Sequence, residues 1–242
     1  MVALPANPPH ANQQSDLDYV LRAHVAPGYL TAADLLTRLD EESDFASDAC
    51  TYKDGIDPAT GARYLEEIVF EVVSEQAERD VTEKAIRMHR RGVRRIFSVM
   101  VKGQRRVCEW LPESQSWGPL AADSLIEDPS LVAPIAVAAL LDAAAADNAV
   151  VEALAAKGNP AIQKREAAAE ARGEARGEAR GEARGEARGE AQSILKLLQA
   201  RGIALSEAQR QEILRCDDLD RLDRWLARAV VVSSVEEVTA EP

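Results

Sequence analysis

Ile68-Val69-Phe70-Glu71-Val72-Val73 is an apolar run interrupted by a single carboxylate. The run is apolar on both faces, as in a sheet interior covered on its two sides, and it predicts a strand over Tyr64 to Ser74. Glu71 is out of place there. A lone carboxylate in a central strand is costly unless a cation or a metal ion meets it. The reading of the chain therefore turns on what lies near Glu71.

Upstream, Asp44 to Tyr52 alternates weakly and reads as a strand or hairpin, followed by turn chemistry at Lys53-Asp54-Gly55 and from Asp57-Pro58 to Gly61. In a strand Asp44, Ala46 and Asp48 share one face, so Asp48, or Asp44 in its place, can bring a second carboxylate to Glu71. Downstream, Glu78 to Arg91 predicts a helix stopped by Gly92. Val81, Ala85, Met88 and Gly92 form its sheet-facing stripe, with Lys84 at the edge of that stripe. The ammonium can thus reach the carboxylates, although a lysine in that position also serves simply to cover apolar surface. Arg95 to Val101 and Arg105 to Leu111 predict a strand pair around Lys102-Gly103. Before all of these, Thr31 reads as the cap of a helix over Ala32 to Asp40, with Leu35, Leu36 and Leu39 as its stripe.

The expected fold class is α/β, with a mixed central sheet flanked by helices, then a long helical repeat segment and a small C-terminal helical module. The expected divisions are a flexible arm over 1–30, the α/β core over 31–120, an alanine-rich helical extension over 121–160, a repeat stalk or spacer over 161–192 and the helical module over 193–242. The 242 residues are 46% hydrophobic and carry a net charge of −12, which argues against a generic nucleic-acid binder. Charge is uneven, however. Between Arg79 and Arg106 ten lysines and arginines face only Asp80 and Glu83. Arg87, Arg91, Arg94, Arg95, Lys102 and Arg105 of this island are the candidate phosphate contacts, with DNA as the partner. The three cysteines, Cys50, Cys108 and Cys216, form no disulfide or zinc pattern. With no signal-peptide pattern and no apolar stretch long enough for a bilayer, the expectation is a cytoplasmic protein.

Ser47-Asp48-Ala49-Cys50, Phe70-Glu71-Val72-Val73-Ser74, and Arg79-Asp80 through Lys84 to Gly92-Val93 together resemble the PD-(D/E)XK restriction-endonuclease-like superfamily, most nearly its Uma-two-type endonucleases. The resemblance spans residues 31 to 117. It implies Mg²⁺-dependent phosphodiester cleavage, with Mn²⁺ as the alternative ion. Asp48 and Glu71 would be the metal ligands, and Lys84 an electrostatic helper moved from the strand, where Val73 stands, to the following helix. The chain departs from the pattern in having Ser47 where a proline usually precedes the aspartate, Met88 where tyrosine is frequent, and shortened strands ahead of Asp48. His10, His24 and His89 are scattered and form no set.

Ser130 to Lys157 reads as alanine-rich helix. Glu-Ala-Arg-Gly then recurs five times from Glu170 to Gly189. That period stacks like charges at i,i+4 and adds a glycine every turn, so an isolated helix is marginal. A spacer of variable helicity and a stalk joining copies of the chain are both open readings. In the tail, Ile194, Leu195, Leu197 and Leu198 form one amphipathic helix, Ser206 with Gln209 a capping box, and Leu219, Leu222, Trp225 and Leu226 a further stripe. The tail is similar in composition to recombination-promoting nuclease and transposase proteins, which implies a link to transposition. The competing functional reading is a catalytically inactive nuclease-like scaffold that assembles partners.

Overall fold

The structure, a computed structural model, describes residues 8–38 and 44–240. It divides into two compact units, 1–163 and 164–242.

The first unit is built on a six-stranded sheet: β1 (Tyr29–Arg38), β2 (Asp44–Lys53), β3 (Glu66–Val73), β4 (Arg95–Met100), β5 (Arg106–Leu111) and β6 (Ser116–Pro119), hydrogen-bonded in chain order. All neighbours are antiparallel except β3 and β4. Parallel neighbours need a crossover, and α2 (Glu78–Arg91) supplies it. Gly92 ends α2 at φ 116°, its N–H donating to the carbonyls of His89 and Met88. That left-handed conformation is open to glycine at little cost.

The β3 run is apolar on both sides because helices cover both faces. Ile68, Phe70 and Val72 pack with Leu17, Val20, Leu21, Phe97, Val99 and Leu140 on one face. Val69 packs with Cys50, Ala85, Met88, Val93, Ile96 and Trp110 on the other. Phe70 and Phe97 stack with ring centroids 5.0 Å apart, and the Trp117 indole N–H donates to Thr82 Oγ1 (3.1 Å), tying α2 to the sheet edge.

Three local expectations are corrected. Residues 8–24, read as part of a flexible arm, form α1 (Pro8–His24), whose Leu17, Val20, Leu21 and His24 are buried. Their i, i+3, i+4, i+7 spacing makes one apolar face, and Pro8 and Pro9 are tolerated in a first turn that lacks intrahelical N–H partners. Residues 1–7 of that arm lie outside the described residues. Second, Thr31 to Arg38 belongs to a strand, not a capped helix. Nine residue pairs with β2 outweigh the local leucine spacing, a tertiary contact prevailing over weak propensity; residues 39 and 40 lie outside the described part. Third, the segment from Ser130 is helical only in part. A small hairpin of β7 (Leu125–Ile126) and β8 (Ile135–Ala136) and a 3-10 turn precede α3 (Ala143–Ala156), which Asp142 caps through the Ala145 N–H. Pro134 and the Asp142 cap set that late start.

In the second unit, the repeat is helical. It lies within α4 (Pro160–Ala200), whose last turns bury Ala187, Ala191, Ile194 and Leu198. They pack against Ile213 of α5 (Glu207–Arg215), Leu222, Trp225 and Ala229 of α6 (Leu219–Val231) and Val238 of α7 (Val235–Thr239). The Ser206–Gln209 capping box is present. Alanine, glutamate and arginine are strong helix formers, and they offset the glycines. Asn159 Oδ1 accepts from the Ala161 and Ile162 N–H groups at its start, and its last turns pack in the tail core. A Cβ at Gly181 meets nothing within 4 Å. Gly181→Ala is therefore expected to stabilise this stretch by about 1 kcal/mol, seen as roughly fivefold slower amide hydrogen exchange at neighbouring repeat residues.

Candidate active site

Glu71 occupies the C-terminal half of β3 and is almost fully buried. Its Oε2 accepts a hydrogen bond from Lys84 Nζ at 2.5 Å, while Oε1 is buried without a hydrogen-bond partner among the described residues. Lys84, on the second turn of α2, also donates to the Ala46 carbonyl (2.8 Å) and lies 5.0 Å from the centroid of the Phe45 ring. The lysine thus bridges β2 and β3. Burial pushes the Glu71 carboxyl up to about 8; the Lys84 ammonium opposes the rise and the nearby Asp48 carboxylate adds to it. Taking a charge out of water outweighs even a close ion pair here.

Asp48 comes alongside Glu71 because Ala49 is in register with Phe70. Its Oδ2 accepts from the Val72 N–H at 2.6 Å, and Oδ1 lies 3.3 Å from His10 Nε2. Asp44, the alternative upstream ligand, opens β2 four residues before Asp48, in register with Arg38. The register thus brings Asp48 to Glu71.

A cavity of about 130 Å³ opens at this end of β3, with Glu71, Val72, Gln76, Asp80 and Lys84 in its wall. Asp80 is a second carboxylate on that cavity, and nothing in the sequence pattern had assigned it there. Gln76 folds the turn between β3 and α2: its Oε1 accepts from the Ser74 and Glu75 N–H groups, and its Nε2 donates to the Val72 carbonyl (3.3 Å). The Ser98 hydroxyl, in register with Glu71, is buried without a hydrogen-bond partner among the described residues.

The donor set fits a hydrated divalent cation. Mg²⁺ takes one or two carboxylates and completes its octahedron with water and phosphate oxygens. Asp48 and Glu71, whose Oε1 has no partner among the described residues, could supply such carboxylates. Among the described residues no group of three or more His, Cys, Asp or Glu side chains gathers closely enough to hold a metal alone.

The basic island is divided between the two ends of the β3–β4 pair. Arg94 and Arg95 stand where β4 begins, with Arg95 in register with Ile68. Arg94 pairs with Glu67 and Asp128, both at 2.7 Å, and Arg95 with Glu109 at 2.7 Å. Burial pushes the Asp128 carboxyl up, but hydrogen bonds from Arg94 and Ser130 outweigh it and hold it below the usual range. These two arginines fasten the 125–130 segment to the sheet. Arg91 lies in the last turn of α2, which returns to that same end, and Arg87 is half-buried one turn earlier. Lys102 and Arg105 follow β4 at the Glu71 end, where Lys102 pairs with Glu75 and Arg105 donates to Gln13 Oε1 (2.8 Å). His24 is buried, its Nδ1 2.8 Å from the Val20 carbonyl, and His89 is exposed.

One solved structure, reported as "a putative nuclease belonging to DUF820" from Anabaena variabilis ATCC 29413, aligns at 16% identity and a TM-score of 0.46, over 57% of this chain and 82% of that one. At that identity and score the likeness assigns no activity to this chain. No protein-family model matches the sequence, and no curated protein matches it. No helix among the described residues is long and apolar enough to cross a membrane.

Proposed function

We propose that the first unit is a divalent-metal-dependent nuclease of the restriction-endonuclease-like kind, hydrolysing phosphodiester bonds in DNA. The observation that supports this most is the buried Glu71. It is paired with Lys84 through one oxygen, has no partner among the described residues at the other, lies close to Asp48, and lines a small cavity. A Mg²⁺ or Mn²⁺ ion held by Asp48 and Glu71 supplies charge neutralisation at a phosphate and a more acidic water. Lys84 brings a fixed positive charge beside the same point, where negative charge grows on a scissile phosphate. Its bonds to Glu71 and the Ala46 carbonyl hold it there before substrate arrives. Lys102 and Arg105, at this end of the sheet, are the proposed backbone contacts. Such contacts position a duplex without reading its sequence and weaken as salt rises. A tie to restriction or transposition rests on the resemblance in sequence alone.

A second reading takes Asp48, Glu71 and Lys84 as a structural polar knot within a scaffold, with the repeat and tail joining copies of the chain. The observation in its favour is that both Asp48 oxygens and one Glu71 oxygen already have partners within the chain.

Nicking of supercoiled plasmid separates the two. The nuclease reading expects cleavage with Mg²⁺ or Mn²⁺ and none with EDTA. It also expects Lys84→Ala to lower kcat about 10²-fold while Mn²⁺ binding persists. A folded wild-type protein inert with both metals on supercoiled and linear DNA favours the scaffold, as does an assembly that dissociates on removal of residues 161–242.

A further inference from the structure

Asp48 sits at a place where the sheet itself gives little support. The β2–β3 pairing ends at Ala49 and Phe70. On the other side, the β1–β2 pairing passes from Ala33–Ala49 to Leu35–Ser47, and Asp34 between them has φ 51°. A left-handed residue in the neighbouring strand disturbs the ladder beside Asp48. α1 fills the gap. His10 Nε2 is 3.3 Å from Asp48 Oδ1, and Gln14 Nε2 donates to the Asp48 backbone carbonyl at 3.0 Å. His10 and Gln14 are four residues apart, on one face of the helix. The helix that carries them is fixed in the core by Leu17, Val20 and Leu21, and by the buried bond from Gln13 Nε2 to the Leu140 carbonyl (2.9 Å).

We infer that His10 and Gln14 are positioning residues: His10 orients the Asp48 carboxylate for a divalent cation through the oxygen that the Val72 N–H does not contact, and Gln14 holds the Asp48 backbone that carries it. α1 is on this account a working part of the site. The inference rests on the reading of Asp48 as a metal ligand. Partners that orient a ligand typically govern metal affinity by one to two orders of magnitude, and a hydrogen bond lost from one carboxylate oxygen lets that group rotate away from its bound orientation.

The test is Mn²⁺ binding to the full chain, followed by electron paramagnetic resonance, with melting temperatures taken in EDTA. His10→Ala and Gln14→Ala are each expected to weaken Mn²⁺ binding about 10- to 100-fold. His10→Gln, which keeps an N–H of similar reach, should recover most of the loss. Asp48→Asn serves as the control. If it abolishes binding while His10→Ala and Gln14→Ala bind as wild type does, the inference is wrong and the site reading stands. If Asp48→Asn binds as wild type does, the site reading has failed and the inference falls with it. Should His10→Ala melt well below wild type, a folded His10→Gln that binds Mn²⁺ weakly also overturns the inference, and one that binds normally supports it.

Discussion

Replacing Glu71 with glutamine is expected to reduce metal-dependent cleavage by about 10³-fold or more, which is roughly 4 kcal/mol of transition-state stabilisation. The amide oxygen of the new side chain can still accept the Lys84 hydrogen bond, so the packing around β3 and α2 is kept. What is lost is the negative charge that a divalent cation requires. The loss should appear in kcat and not only in apparent metal affinity, so raising Mg²⁺ or Mn²⁺ should restore little. The measurement is single-turnover cleavage across a metal titration. Recovery of wild-type rate at high metal would show that Glu71 tunes affinity without being needed for the step.

The same substitution is expected to stabilise the fold at high pH. Burial raises the Glu71 carboxyl from 4.5 to about 8. Between those values the folded chain keeps a proton that the unfolded chain has released, so stability falls as pH rises across the window. The contribution is fully present below about pH 4.5 and lost as pH passes about 8. A tenfold change in proton affinity corresponds to about 1.36 kcal/mol, so the whole effect is on the order of a few kcal/mol. The glutamine amide has no proton to release in this range. In EDTA, wild type and Glu71→Gln should melt together near pH 4.5, and the variant should melt progressively higher towards pH 9. Equal melting temperatures at both pH values would mean that Glu71 is solvated and ordinary. Carboxylates placed for chemistry are often costly to the fold in this way.

The centre of the molecule was legible in the sequence. The Ile68 to Val73 run is apolar on both faces, and α2 ends on Gly92; both signals are local. Lys84 is also legible, since its place on the edge of the α2 stripe already points it towards β3. The edges were less so. Leu35 and Leu36 satisfy a helical spacing, and only their pairing with residues of β2, distant in sequence, makes a strand of them. The N-terminal helix did carry a signal in Leu17, Val20, Leu21 and His24, but the prolines and polar residues of its first turns mask it. His10 was invisible as a site residue because 38 positions separate it from Asp48, and its approach depends on how α1 docks. The repeat carried conflicting signals, strong helix formers against glycine and like charges, and it is helical in the structure, with its last turns packed in the tail core.

One preparation of Glu71→Gln beside wild type tests the central claim most directly, by measuring plasmid nicking with Mn²⁺ and the melting temperature in EDTA, both at pH 8. The account predicts a variant that nicks at least about 10³-fold more slowly and melts higher than wild type. A variant that nicks at the wild-type rate would contradict it, whatever its melting temperature.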